Sequence, residues 1–232
     1  MSADLLISEQ DLDALRRLET CVVSNAIETF EVRLRNVGFT GPGIRCMFED
    51  CPPMVGYAAT ARLRSSEPPM AGRTFHDRSD WWNSILSVPY PRIAVLEDMD
   101  DPAGIGAFLG DMHGAMLRAL GCVGYVTNGA VRELPHVREM GLQVFAGSVA
   151  VSHAYAHIFD LGATVSVGGL EMKPSDLLHG DRHGLLTIPK EIAREIPAVA
   201  ARLQRAEQRV IAYCRSKDFS LEGLQRITKD VS

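Results

Sequence analysis

Lysine is scarce in this 232-residue chain: Lys173, Lys190, Lys217 and Lys229 are all there is, and the first 172 residues contain none. A Walker-type phosphate loop needs Gly-Lys-Ser/Thr, so that nucleotide chemistry is excluded. Schiff-base catalysis needs a desolvated lysine. Only Lys173 and Lys190 are candidates, and both sit beside prolines in polar surroundings. Cysteine offers no framework either. Cys21, Cys46, Cys51, Cys122 and Cys214 are scattered, odd in number and form no Cys-x-x-Cys pair, as expected of reduced thiols. Cys122 lies in an apolar run and reads as a core residue. Basic excess is missing: 24 Lys and Arg against 29 Asp and Glu give a net charge of −5, which does not suit a nucleic-acid-binding face. No apolar run approaches the ~18 residues of a membrane-spanning helix. Met1-Ser2-Ala3-Asp4 lacks the basic start and apolar core of a signal peptide, so a cytoplasmic protein is expected. Gly-x-Ser-x-Gly and His-Glu-x-x-His are also missing, which argues against a serine hydrolase and a zincin.

What is present is a 46% hydrophobic chain, enough for one sizeable core. Ser8 is placed to cap a short helix carrying Leu12, Leu15 and Leu18, and a second helix starts near Thr20. Residues 56–63 (GYAATARL) and 92–97 (RIAVLE) read as strands. Between them, residues 65–91 form a long polar and aromatic stretch with Arg73, His76, Asp77, Arg78, Asp80, Trp81 and Trp82. It reads as a lid, a subunit contact or an ordinary surface excursion. A helix is predicted over 108–120, a strand over 123–127, a short helix over 135–140 and a strand over 144–146. Short strands follow at 164–167, 170–172, 177–178 and 185–188, separated by Gly and Pro turns. Helical spacing of Ile192, Ile196, Val199, Leu203, Val210 and Ile211 marks a last helix over about 189–216, kinked or restarted at Pro197. The pattern implies one mixed α/β domain over 1–232.

The chemistry gathers at two runs, Gly110-Asp111-Met112-His113 and Asn128-Gly129-Ala130-Val131-Arg132-Glu133. Strands 92–97 and 123–127 flank a helix, and the ligand edge of such a βαβ unit is where strands end and the helix begins. Free N–H groups at a helix start favour a carboxylate. Arg132 offers a bidentate grip on one. Asp111 and Glu133 are hard oxygen donors of the kind Mg²⁺ or Mn²⁺ takes. The bland readings stand beside these: Arg132–Glu133 as a surface ion pair, and His113, His153, His157, His179 and His183 as core or surface histidines. His153 and His157 share the i, i+4 spacing of two helical metal ligands. Gly104-x-Gly106-x-x-x-Gly110 follows a strand, but its spacing is wrong for a dinucleotide loop.

On these residues the chain resembles the RraA-like family, which includes class II 4-hydroxy-4-methyl-2-oxoglutarate and 4-carboxy-4-hydroxy-2-oxoadipate aldolases and the regulator of ribonuclease E activity. The match is carried by Gly110-Asp111, Gly121-Cys122-Val123-Gly124 and Asn128 to Glu133. Val23-Ser24-Asn25-Ala26, residues 56–62, Gly168-Gly169, Lys173-Pro174-Ser175-Asp176 and Gly180-Asp181-Arg182-His183-Gly184 add to it. The resemblance implies a single α-β-β-α sandwich of the swivelling phosphohistidine-domain type. It implies a homotrimer or homohexamer with sites between subunits. It also implies a metal-dependent lyase, with Mg²⁺ or Mn²⁺, that cleaves a 2-oxo dicarboxylate by retro-aldol reaction to pyruvate and decarboxylates oxaloacetate. Carried over by position, Gly110, Asp111, Met112 and His113 contact the substrate and Arg132 binds it and stabilises the enolate. Glu133 takes the metal-ligand position, and Asp111 orients a metal-bound water.

Four positions depart from the family pattern: Asn128 and Glu133 stand where Asp is usual, Ser175 where Gly is, and His183 where Asp is. The extra methylene of Glu133 moves its carboxylate by roughly 1–1.5 Å, one bond length, and Mg²⁺ demands near-ideal geometry. His113, His179 and His183 suggest a divergent substrate. The alternative is a non-catalytic regulatory protein like the ribonuclease E regulator.

Overall fold

The computed structural model describes residues 6–69 and 78–229. Arg73, His76 and Asp77 lie outside them. The elements run α1 (Glu9–Arg16), α2 (Thr20–Glu28), β1 (Arg45–Cys46), β2 (Met54–Arg64), α3 (Arg78–Leu86), β3 (Arg92–Asp98), β4 (Ala107–Leu109), α4 (Asp111–Ala119), β5 (Cys122–Thr127), β6 (Ala130–Val131), α5 (Leu134–Glu139), β7 (Gln143–Ala146), β8 (Ser148–Val149), β9 (His157–Leu161), β10 (Val165–Val167), β11 (Leu170–Met172), β12 (Leu177–Asp181), β13 (Gly184–Ile188), α6 (Ile196–Cys214) and α7 (Leu221–Lys229).

This is a mixed α/β fold. The main sheet has the order β1-β7-β5-β3-β2-β12-β13, and β9 also pairs with β2. β2, β3, β5 and β7 run parallel; β1, β9 and β12 join antiparallel. β2 is long enough to carry two partners end to end on one edge, β12 against residues 54–57 and β9 against 61–64.

Strand alternation divides the interior in two. Val55, Tyr57, Ala59, Ala61 and Leu63 face a core shared with the buried faces of α1, α2 and α6. Met54 and Ala58 point the other way, into a second core with Ile93, Val95 and the β10–β11 hairpin residues Val165, Val167, Leu170 and Met172. α1 begins as expected, with the Ser8 hydroxyl accepting from the Asp11 N–H at 3.2 Å. The α1–α2 corner is fixed by a buried polar chain. Thr20 bridges the Asp181 carboxylate, 2.8 Å from the Thr20 N–H, and His179 Nδ1, 3.0 Å from its hydroxyl. His179 Nε2 reaches the Leu15 carbonyl at 3.1 Å.

Several expected elements change. The helix expected over 108–120 begins only at Asp111, because Ala107 and Leu109 pair with Ala130 and Val131 as strands. Pairing across the fold here overrides local helix preference. His153 and His157 are not on a helix: His153 lies in a loop and His157 opens β9. The stretch 65–91 contains α3, whose Trp81 is 3% exposed and belongs to the main core. Pro197 sits in the first turn of α6, which therefore starts there and does not kink. A further helix, α7, follows it.

Candidate functional site

The site is built by three short strands. β4, β6 and β8 each follow the end of a main-sheet strand, β3, β5 and β7 respectively, and pair in parallel as a small sheet. Gly110 follows β4 and Arg132 follows β6, so pairing of Leu109 with Val131 brings the two functional runs side by side. The Arg132 N–H donates to the Leu109 carbonyl at 3.1 Å. Two glycines allow this closeness. A Cβ on Gly110 would stand 2.5 Å from Glu133 Oε2, and one on Gly129 2.7 Å from Asp98 Oδ2.

Asn128 has a structural job at the end of β5. Its Oδ1 accepts from the Asp98 N–H at 2.7 Å and its Nδ2 donates to the Asp98 carbonyl at 2.8 Å, extending the β3–β5 ladder by a side chain. A carboxylate supplies only the acceptor half of that pair.

Gly110 to His113, Arg132 and Glu133 line one cavity of about 380 Å³, together with Phe108, His153, Tyr155 and His157. His113 stacks on Phe108 with ring centroids 4.6 Å apart. Glu133 is held in the left-handed region (φ 56°), unusual for a residue with a side chain and typical of functional sites. That conformation turns its carboxylate across to α4: Oε2 accepts from the Asp111 N–H at 2.9 Å, and Oε1 lies 2.8 Å from Arg132 Nη2. The Met112 N–H is taken by the Asp111 carboxylate. The first two N–H groups of α4, expected to meet a substrate carboxylate, are thus already satisfied by Glu133 and Asp111. Arg132 Nη1 also reaches the Val151 carbonyl at 3.4 Å. Its five donors leave capacity for an anion.

Not every residue singled out from sequence gathers here. His179 and His183 belong to the α1–α2 corner, His183 through Asp181 Oδ1 at 2.8 Å from its N–H. Burial holds the His179 imidazole below its usual range. Burial works to raise Asp181, but hydrogen bonds from Thr20 and His183 outweigh it and hold that carboxyl below its ordinary value. Cys122 is buried and its thiol is pushed up to about 12, so it is no nucleophile. The segment carrying His153, Tyr155 and His157 is absent from the sequence-derived site; only the histidine spacing hinted at it.

Among the described residues no cluster of three or more His, Cys, Asp or Glu side chains is arranged to hold a metal ion. Two carboxylates at one cavity mouth, Glu133 and Asp111, nevertheless suit a cation that keeps most of its waters and takes one or two protein carboxylates. Also among the described residues, no helix is long and apolar enough to cross a membrane.

The chain belongs to the RraA-like family: residues 20–187 match the family model described as Aldolase/RraA. A relative from Halalkalibacterium halodurans bearing the name "Putative 4-hydroxy-4-methyl-2-oxoglutarate aldolase" is 31% identical over 85 residues, 36% of this chain and 40% of that protein. The match therefore spans well under two thirds of that relative. The fold is shared with an uncharacterized protein from Pseudomonas syringae pv. tomato (TM-score 0.73, 21% identity, covering 97% of this chain and 95% of the other). It is shared also with a Streptomyces coelicolor protein described as an unusual member of the RNase ES inhibitor RraA family (TM-score 0.66, 21% identity, 87% and 96% covered).

Proposed function

We propose that the cavity between α4 and Arg132 is the active site of a lyase that cleaves a 2-oxo dicarboxylate by retro-aldol reaction to pyruvate, and that also decarboxylates oxaloacetate. The observation that carries this reading is the convergence of one guanidinium and two carboxylates, Arg132, Glu133 and Asp111, on a single cavity of substrate size. Arg132 binds the 2-oxo acid carboxylate and offsets the negative charge that develops as the enolate forms. Gly110, Asp111, Met112 and His113 shape the wall beside it. Glu133, with Asp111 next to it, would hold a divalent cation, Mg²⁺ or Mn²⁺. When bound, that cation supplies a Lewis acid at the 2-oxo oxygen. Both reactions end in the same enolate, so one site serves both.

The α-β-β-α sandwich and its trimeric or hexameric assembly, with the full 232 residues as one unit, belong to the same proposal. Exposed Met112, Val149, Val151 and Tyr155 near the cavity support a subunit contact there. One observation favours the second reading, a regulatory protein without chemistry: both oxygens of Glu133 already have protein partners.

The test is pyruvate release from 4-hydroxy-4-methyl-2-oxoglutarate, 4-carboxy-4-hydroxy-2-oxoadipate and oxaloacetate, with Mg²⁺, with Mn²⁺ and with chelator. Metal-dependent release is expected, and Arg132→Ala lowers it by about 100-fold or more. Unchanged turnover in that variant removes Arg132 from the mechanism. No release under any condition favours the regulator.

A further inference from the structure

We propose that His153 is the base that takes the proton from the substrate hydroxyl during carbon–carbon cleavage. This rests on the lyase reading above and deepens it. Retro-aldol cleavage needs an acceptor for that proton, and in the reading above Glu133 and Asp111 are assigned to the cation. Asp111 accepts from the Met112 N–H, and Glu133 from the Asp111 N–H while pairing with Arg132.

His153 lines the same cavity and is prepared for the role. Its Nδ1 lies 2.7 Å from the Ala154 carbonyl. A carbonyl only accepts, so Nδ1 carries the hydrogen of that bond, and the neutral ring presents Nε2 as an acceptor. The loop is fastened on both sides. The Ala154 N–H donates to the Ser152 hydroxyl at 2.9 Å, and the Ala107 N–H donates to the Ser152 carbonyl at 3.0 Å. Ala154 is held at φ 45°, a strained conformation for a residue with a side chain. Arg132 contacts Val151, two residues before His153, so the carboxylate grip and the imidazole share one loop. His157 carries the same polarity, with Nδ1 2.7 Å from the Tyr155 carbonyl, but it opens β9 and is paired there with Arg64 of β2.

In the step, the hydroxyl proton moves to Nε2 and the hydroxyl oxygen becomes the carbonyl of the departing product. The electron pair of the broken bond enters the enolate. Nε2 then returns its proton to the enolate carbon, which becomes the methyl group of pyruvate. No oxidant or reductant is needed.

Decarboxylation of oxaloacetate forms the same enolate with no hydroxyl proton to remove, so it separates this role from binding. For His153→Gln, kcat for cleavage of 4-hydroxy-4-methyl-2-oxoglutarate is expected to fall about 10²- to 10⁴-fold, the usual contribution of a general base, with KM little changed. Oxaloacetate decarboxylation, and the Kd of oxalate as a planar mimic of the enolate, should change less than about threefold by the same reasoning. Both also report that the variant is folded. Cleavage at the wild-type rate, or an equal fall in cleavage and decarboxylation, overturns the assignment to His153 while leaving the lyase reading intact. A wild-type protein that releases pyruvate from neither substrate overturns the lyase reading and this assignment with it.

Discussion

Glu133 is cast in two roles, and substitution separates them. As a structural group it caps α4, with Oε2 2.9 Å from the Asp111 N–H, and pairs with Arg132 at 2.8 Å. As a chemical group it would hold a cation. Glu133→Gln keeps an amide oxygen for the cap but removes the charge. The helix-end electrostatic gain it loses is about 0.3–1 kcal/mol. The Arg132 pair, with both side chains 31% exposed, is worth at most about 1 kcal/mol after solvent screening. The sum is about 0.3–2 kcal/mol, which lowers Tm by about 1–8 °C in a chain of this size. Glu133→Ala also deletes the cap, costing about another 1 kcal/mol. The Tm order expected by differential scanning calorimetry is therefore wild type, Gln, Ala. Metal-dependent pyruvate release, by contrast, should be lost equally in both variants. An Ala variant melting within 1 °C of wild type would refute the cap. A Gln variant with full metal-dependent turnover would refute the ligand role.

Two further outcomes follow from the buried polar groups. Asn128→Asp keeps the acceptor for the Asp98 N–H but strips the donor from the Asp98 carbonyl and adds a charge beside a buried carboxyl. An unpaired buried carbonyl costs about 1–3 kcal/mol, so urea unfolding at pH 7 should show at least that loss, shrinking in acid as the new carboxyl gains a proton and donates again; no loss at pH 7 would mean the bridge contributes nothing. The second outcome is a two-stage acid loss of stability. His179 is held below its ordinary 6.5 and stays neutral when folded, so the unfolded chain binds its proton first and stability falls as pH drops below about 6.5. Asp181 is held below its ordinary 3.8, so its contribution is complete above that value and is lost as pH falls through the lower folded value. Denaturant titrations from pH 8 to about pH 2 would reveal both, and a flat profile between pH 7 and 5 would contradict the first.

Much of this was legible in the chain itself. Hydrophobic periodicity marks β2, β3 and β5, because long buried strands carry continuous apolar runs that need no knowledge of their partners. The Ser8 cap is equally local, since the hydroxyl bonds an N–H three residues on. The absence of any Gly-Lys-Ser/Thr excludes Walker chemistry and lysine scarcity leaves only Lys173 and Lys190 for a Schiff base, and the runs 110–113 and 128–133 carry the family resemblance. Other features became visible only in the tertiary structure. β4, β6 and β8 are two or three residues long, too short for any period, and exist because they pair with one another. That pairing sets Gly110 against Glu133 and gives the proposed metal ligand a second role as a cap on α4. Asn128, a departure from the family pattern in sequence, is a backbone bridge once Asp98 lies beside it. His179 and His183, suggestive as a histidine-rich patch, are drawn to Thr20 and Asp181 at the far corner, whereas the loop holding His153 is brought to the cavity. Spacing along the chain fixes which residues share a strand or a helix. Which strand ends meet, and so which side chains share a cavity, depends on pairings between distant segments that no local pattern encodes.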